Sequence, residues 1–183
     1  MTDSPDTVSL TGPGGTAEFP VVPSVEGAPS IDISTLTKET GFTALGHGFV
    51  NTASTSSGIT YINGDEGVLR YRGYAIDDVA QNSTFLEVAW LLINGELPSA
   101  SELEEFDDRI RHHTLLHEDL KRLFDALPHN AHPMSVLSAA VSAMSTYYGD
   151  SLSVHDPEQI EMSTIRLLAK LPVIAAYAHK KSI

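Results

Sequence analysis

The sequence predicts a mainly α-helical fold preceded by a short N-terminal antiparallel β arm and one β-hairpin. Three observations lead there. From Ile76 onward, apolar residues recur at helical spacing between capping and stopping residues. Ahead of them, Ile59–Tyr74 holds two β-prone runs around Asn63-Gly64-Asp65 and Gly67, the pattern of a hairpin whose turn needs positive φ. The first 58 residues are rich in Gly, Pro, Ser and Thr and carry a single basic residue, Lys38. The domain reading is therefore an arm and loop over 1–58 and a helical part over 59–183.

Within the arm, Thr7–Leu10 and Ala17–Val22 read as strands around the turn Gly12-Pro13-Gly14-Gly15. Each is too short to be stable alone and must lie on something larger. Asp32–Thr40 fits one short helical turn, and Phe42–Gly58 reads as loop. After the hairpin, Ser83 or Thr84 caps a helix through Ile93, with Gly95 past its end and Pro98 beyond. Ser99 or Ser101 opens the next helix. Ser101-Glu102-Leu103-Glu104 has the capping-box pattern, and Leu103, Phe106, Ile110 and Leu115 are spaced for one face. Glu118–Leu127 is a short helix ended by Pro128. Pro133 starts a helix reaching Tyr148, rich in small residues, with Gly149 as its stop. Pro157 starts the last helix toward Lys181, in which Pro172 should produce a kink. That helix is apolar around much of its circumference, and Lys180-Lys181-Ser182-Ile183 offers no stop signal. Both features imply a cut chain or a large partner surface.

Composition narrows the function. Eleven Lys+Arg against 24 Asp+Glu give a formal charge of −13. Such a surface repels phosphate backbones and anionic headgroups, which argues against nucleic-acid and membrane-surface binding. The absence of cysteine removes disulfides, thiolate nucleophiles and Cys-ligated zinc. No apolar run approaches the roughly 18–20 residues that span a bilayer. The opening MTDSPDTVSL lacks the basic and apolar regions of a signal peptide, so a cytoplasmic location is expected.

Candidate chemistry is sparse. His113 and His117 stand four apart, a zinc-ligand spacing, but Thr114 follows His113 where a His-Glu-x-x-His helix needs Glu, and no third ligand is evident. Solvated or capping histidines are the better reading, and no metal is expected. Carboxylate runs such as Glu104-Glu105 and Asp107-Asp108 lie beside Arg109 and Arg111, where ordinary helix pairs form. The basic pair Arg166 and Lys170, one helical turn apart in a strongly acidic chain, is less easily dismissed. If the helices pack together, His113 and Tyr148 approach it, and Arg supplies a fork for phosphate while Tyr supplies a stacking plate. The competing reading is salt bridging to the acidic surface.

Five segments in order carry a resemblance: Ile59–Tyr74 (ITYINGDEGVLRYRGY), Phe85–Pro98 (FLEVAWLLINGELP), His113–Glu118 (HTLLHE), His132–Met134 (HPM) and Arg166–Lys181 (RLLAKLPVIAAYAHKK). Together they resemble the N-terminal portion of citrate synthase, over about residues 42–183. The β arm resembles that of the bacterial form and favours it over 2-methylcitrate synthase, which usually lacks the arm. The resemblance implies the large-domain helices of that fold, condensation of acetyl-CoA with oxaloacetate to citrate and CoA, entry into the tricarboxylic acid cycle, and a homo-oligomer, dimer or hexamer. The family's catalytic His and Asp motifs, including a His-Gly-Gly segment, lie farther along the polypeptide. No catalytic residue is therefore placed in 1–183, and this chain alone should be inactive without the remainder. A non-catalytic oligomerisation or nucleotide-binding module derived from the family is the alternative. The resemblance also implies a place for NADH as allosteric inhibitor, with no other cofactor, at His113, Thr114, Tyr148, Arg166 and Lys170. His112 stands where regulated members often carry Arg, which would weaken phosphate binding.

Overall fold

The structure, a computed structural model, describes residues 6–46, 48 and 51–182. The first five residues, His47, Phe49 and Val50 of the expected loop, and the terminal Ile183 lie outside the described residues. Seven α-helices and two three-stranded antiparallel sheets make up the described fold. The chain divides into two compact units, Met1–Gln81 and Asn82–Ile183, so the hairpin groups with the arm.

In the first unit, β1 (Thr7–Gly12) pairs with β2 (Gly15–Val22) in the register Leu10↔Ala17 and Gly12↔Gly15. Pro13-Gly14 makes a two-residue turn, and Gly15 has φ of 118°, where a side chain would be strained. The strands outrun the expected Thr7–Leu10 and Ala17–Val22 because the ladder zips up to the turn. β3 (Ser30–Ile31) adds to β2 through Val21↔Ile31. The expected helical turn shrinks to α1 (Leu36–Thr40), which packs on β2 and ends at Gly41. Phe19 of β2 and Leu36 of α1 are buried.

The predicted hairpin is present as β4 (Thr60–Asn63) and β5 (Val68–Tyr71), and β6 (Tyr74–Ala75) extends it to three strands. The turn to β6 is Arg72-Gly73, both at positive φ, as a two-residue hairpin turn with the strands' own twist requires. Its two-residue partner strand is too short to show a period of two in the sequence. α2 (Ile76–Asn82) follows and buries Val79.

The second unit is all helical. α3 (Phe85–Asn94) begins in a reciprocal cap between Thr84 and Glu87 and stops at Gly95 in the left-handed region. α4 (Ala100–His112) has the same box, but between Ser99 and Glu102 rather than Ser101 and Glu104. Both serines satisfy the spacing; the earlier one prevails because it adds two residues to the helix, and each added residue contributes a backbone hydrogen bond once a helix is nucleated. Leu115 lies beyond the end of α4, off the expected stripe, and is 83% exposed. α5 (Glu118–Ala126) and α6 (Pro133–Met144) are capped by imidazoles: His117 Nδ1 accepts from the Asp119 N–H at 3.1 Å, and His132 Nδ1 from the Met134 N–H at 3.2 Å.

α6 ends four residues before the expected Tyr148. Ser145 and Thr146 hydroxyls donate to the carbonyls of Ser142 and Ala143 at 2.8 Å, and the backbone tightens into i to i−3 bonds there. Gly149 then opens a 3-10 turn (Gly149–Ser151) instead of merely stopping a helix. α7 (Pro157–Ser182) starts on Asp156, whose carboxylate accepts from the Glu158 N–H at 3.0 Å, and stays helical through Pro172.

α7 is the spine of this unit and serves two cores. Near its start, Ile165 and Ala169 pack with Phe106 and Ile110 of α4 and Trp90 of α3, where Trp90 meets Phe106 edge-on at 5.3 Å. Farther on, Ile174 and Ala178 pack with Leu120 and Phe124 of α5 and Val136, Ala140 and Met144 of α6. The small residues of α6 permit that close approach. Ala175, Ala176 and Tyr177 of α7 remain exposed, in keeping with an over-apolar last helix.

Candidate functional site

Residues four apart share a helix face, so Arg166 and Lys170 project side by side from α7. Between the two cores that face meets the end of α4 and the 3-10 turn after α6. The Tyr148 ring lies against both cations: the Arg166 guanidinium carbon is 4.6 Å from its centroid and Lys170 Nζ is 5.2 Å away. Both distances fall within cation–π range.

Each cation has a different set of partners. Lys170 is 2% exposed. Its ammonium donates to the carbonyl oxygens of His113 at 2.5 Å and Leu115 at 2.6 Å. These carbonyls lie just past the end of α4, so Lys170 ties the chain leaving that helix to α7. Arg166 grips Asp150 bidentately, Nη1 to Oδ1 at 2.6 Å and Nη2 to Oδ2 at 2.9 Å, and Nη1 also donates to Ser151 Oγ at 2.6 Å. Its Nε is buried with no hydrogen-bond acceptor. The Ser163 hydroxyl donates to the Ser151 carbonyl and fastens the turn to α7.

The charges answer to these surroundings. Burial holds the Lys170 ammonium below the usual lysine range, and the neighbouring Arg166 pushes the same way. The hydrogen bonds from Arg166 lower the Asp150 carboxyl, while Asp150 raises Arg166. Burial raises the Tyr148 phenol. The arrangement is a cationic platform with an aromatic wall, filled at the arginine fork by the protein's own carboxylate.

Of the five residues singled out, the fold brings Tyr148, Arg166, Lys170 and the main chain of His113 together. The His113 imidazole turns back to the Arg109 carbonyl at 2.7 Å, and the Thr114 hydroxyl donates to the Arg111 carbonyl at 2.9 Å. His112 Nδ1 lies 2.8 Å from the Asp108 carbonyl. His117 caps α5 and lies 4.7 Å from the Tyr147 ring. Asp150, Ser151 and the Leu115 carbonyl are not among the site residues the sequence points to. Their roles depend on how α4, the turn and α7 meet, and an acidic residue 16 positions before an arginine carries no local signal.

Comparison with known proteins places this helical unit. The family model described as citrate synthase, C-terminal domain, matches residues 48–183. The chain belongs to the citrate synthase family. Citrate synthase 1 of Mycobacterium tuberculosis is 56% identical over 183 residues, 100% of this chain and 42% of that relative. The citrate synthase of Corynebacterium glutamicum is 51% identical over 168 residues, 92% of this chain and 38% of that relative. Among solved structures, citrate synthase from Pyrobaculum aerophilum superposes with a TM-score of 0.64 at 31% identity, covering 96% of this chain and 39% of that one. The chain thus spans less than half the length of the citrate synthases it matches.

Proposed function

We propose that these residues form the scaffold part of a working citrate synthase, which joins the acetyl carbon of acetyl-CoA to the ketone carbon of oxaloacetate and, with water, releases citrate and CoA. The reading rests on the 56% identity that runs the whole length of the chain. The groups that move protons in the reaction belong to polypeptide beyond residues 1–183, and the helices here support them. The exposed apolar residues Ala175, Ala176 and Tyr177 of α7 favour a homo-oligomer, and the setting is the tricarboxylic acid cycle in the cytoplasm. Thiol release from acetyl-CoA and oxaloacetate tests the reading. Residues 1–183 alone should release none, and adding the remaining polypeptide should restore it. Turnover by residues 1–183 alone would place catalytic groups within them and refute the assignment.

A second reading concerns control of that activity. NADH binds at the platform of Tyr148, Arg166 and Lys170, near His113 and Thr114. What favours it is one aromatic ring within 4.6 Å of the Arg166 guanidinium and 5.2 Å of the Lys170 ammonium, in a protein of formal charge −13. Arg166→Ala should abolish NADH affinity in calorimetry, and unchanged binding would sink this reading.

A further inference from the structure

We propose that Asp150 is a built-in competitor at the cationic platform: its carboxylate occupies the Arg166 fork, and an anionic ligand binds by displacing it. This rests on the second reading above, that the platform takes an anionic nucleotide. Four observations carry it. The Asp150 carboxylate uses both terminal nitrogens of Arg166, the same paired geometry by which a guanidinium holds a phosphate. The side chain of Asp150 is 67% exposed and that of Arg166 only 13%, so the carboxylate lies on the solvent side of a sheltered cation. It can rotate away without opening either core. Lys170 cannot take the anion in its stead, because its ammonium is buried against two carbonyls. Arg166 also keeps contacts that do not depend on Asp150, the Ser151 hydroxyl and the Tyr148 face, so the guanidinium stays in place when the carboxylate leaves. An ion pair with one partner this exposed is weak, so it tunes affinity and does not block the site.

The test is NADH binding to the full polypeptide by calorimetry at low ionic strength. Asp150→Asn removes the charge and keeps the shape, and Asp150→Ser provides a second form. Either should tighten NADH binding about fivefold, the scale of one exposed ion pair. Glu158→Gln changes the net charge equally at an exposed position eight residues, roughly 12 Å, back along α7, and should leave affinity within about twofold. Adding Arg166→Ala should erase the gain. Equal affinity in parent and Asp150 variants, with binding still lost in Arg166→Ala, overturns the competitor while the nucleotide reading survives. A gain matched by Glu158→Gln, or kept in the Arg166→Ala background, overturns it as a general charge effect. No NADH binding in parent or Asp150 variants overturns both.

Discussion

Replacing Lys170 by Met tests the claim that one buried ammonium holds the end of α4 to α7. Methionine keeps an unbranched stem of similar length, so packing changes little and the charge is what is lost. Two hydrogen bonds from a charged donor disappear, at 2.5 and 2.6 Å, and each contributes about 1.5–3 kcal/mol. The His113 and Leu115 carbonyls lose their donor in a part-buried position. Against this stands relief from burying an ammonium at 2% exposure beside the Arg166 charge, which costs several kcal/mol. Removing one partner of a buried charged contact ordinarily outweighs the relief, because the acceptors stay behind. We expect a net loss of about 2–4 kcal/mol. At about 2–4 °C per kcal/mol, the melting temperature followed by circular dichroism should fall by roughly 4–16 °C. A midpoint within about 2 °C of the parent would mean that water replaces the ammonium at both carbonyls. A higher midpoint would mean that the buried charge is a net burden, and the clip would be refuted either way.

Two further outcomes follow from the caps and from the Arg166–Asp150 pair. Ser99→Ala should destabilise by about 1 kcal/mol and Ser101→Ala by a few tenths at most, since only Ser99 accepts from the Glu102 N–H; equal losses in denaturant titrations would contradict the cap. Glu87, Glu102 and Asp150 all have carboxyl groups lowered by hydrogen bonds that the folded chain provides, from Thr84, Ser99 and Arg166 respectively. A folded pKa below the unfolded one contributes stability above the unfolded value and loses it as pH falls through the folded value. Stability should therefore fall as pH drops below about 4.5 for the two glutamates and below about 3.8 for Asp150, and a Glu87→Gln, Glu102→Gln, Asp150→Asn triple variant should show a shallower fall; identical acid limbs would refute the assignment.

What the sequence reveals here is set by range. Thr84, Gly95, Pro133 and Pro157 mark helix ends because caps and breakers act within one turn, and the α3 to α7 pattern is readable for that reason. The choice between Ser99 and Ser101 is not readable, since both meet the same local rule. The early end of α6 coincides with the Ser145 and Thr146 hydroxyls bonding the backbone three residues back, which competes with continuing the helix. β3 and β6 are two residues each and exist only through their partners. At the platform, the Arg166–Lys170 spacing is visible because it lies within one helix. Asp150 and the carbonyls of His113 and Leu115 are 16 and more than 50 positions away from their partners, and only packing brings them in. Leu115 shows the same limit from the other side: it continued an apolar period past the point where the helix had ended.

The double duty of α7 has a consequence for how changes in this unit combine. Ile165 and Ile174 anchor separate clusters and lie nine residues, about 13 Å, apart along one axis. Pro172 falls between the two anchoring stretches and removes the amide that would have bonded Leu168, so the rod is unlaced between its two loads. Damage at one anchor should therefore be felt locally. Truncations at Ile165 and Ile174 should sum in their effects, as they do for sites that share no partner, whereas pairs inside either cluster should not. The helix is continuous in shape but divided in bookkeeping, two independent joints on a single beam.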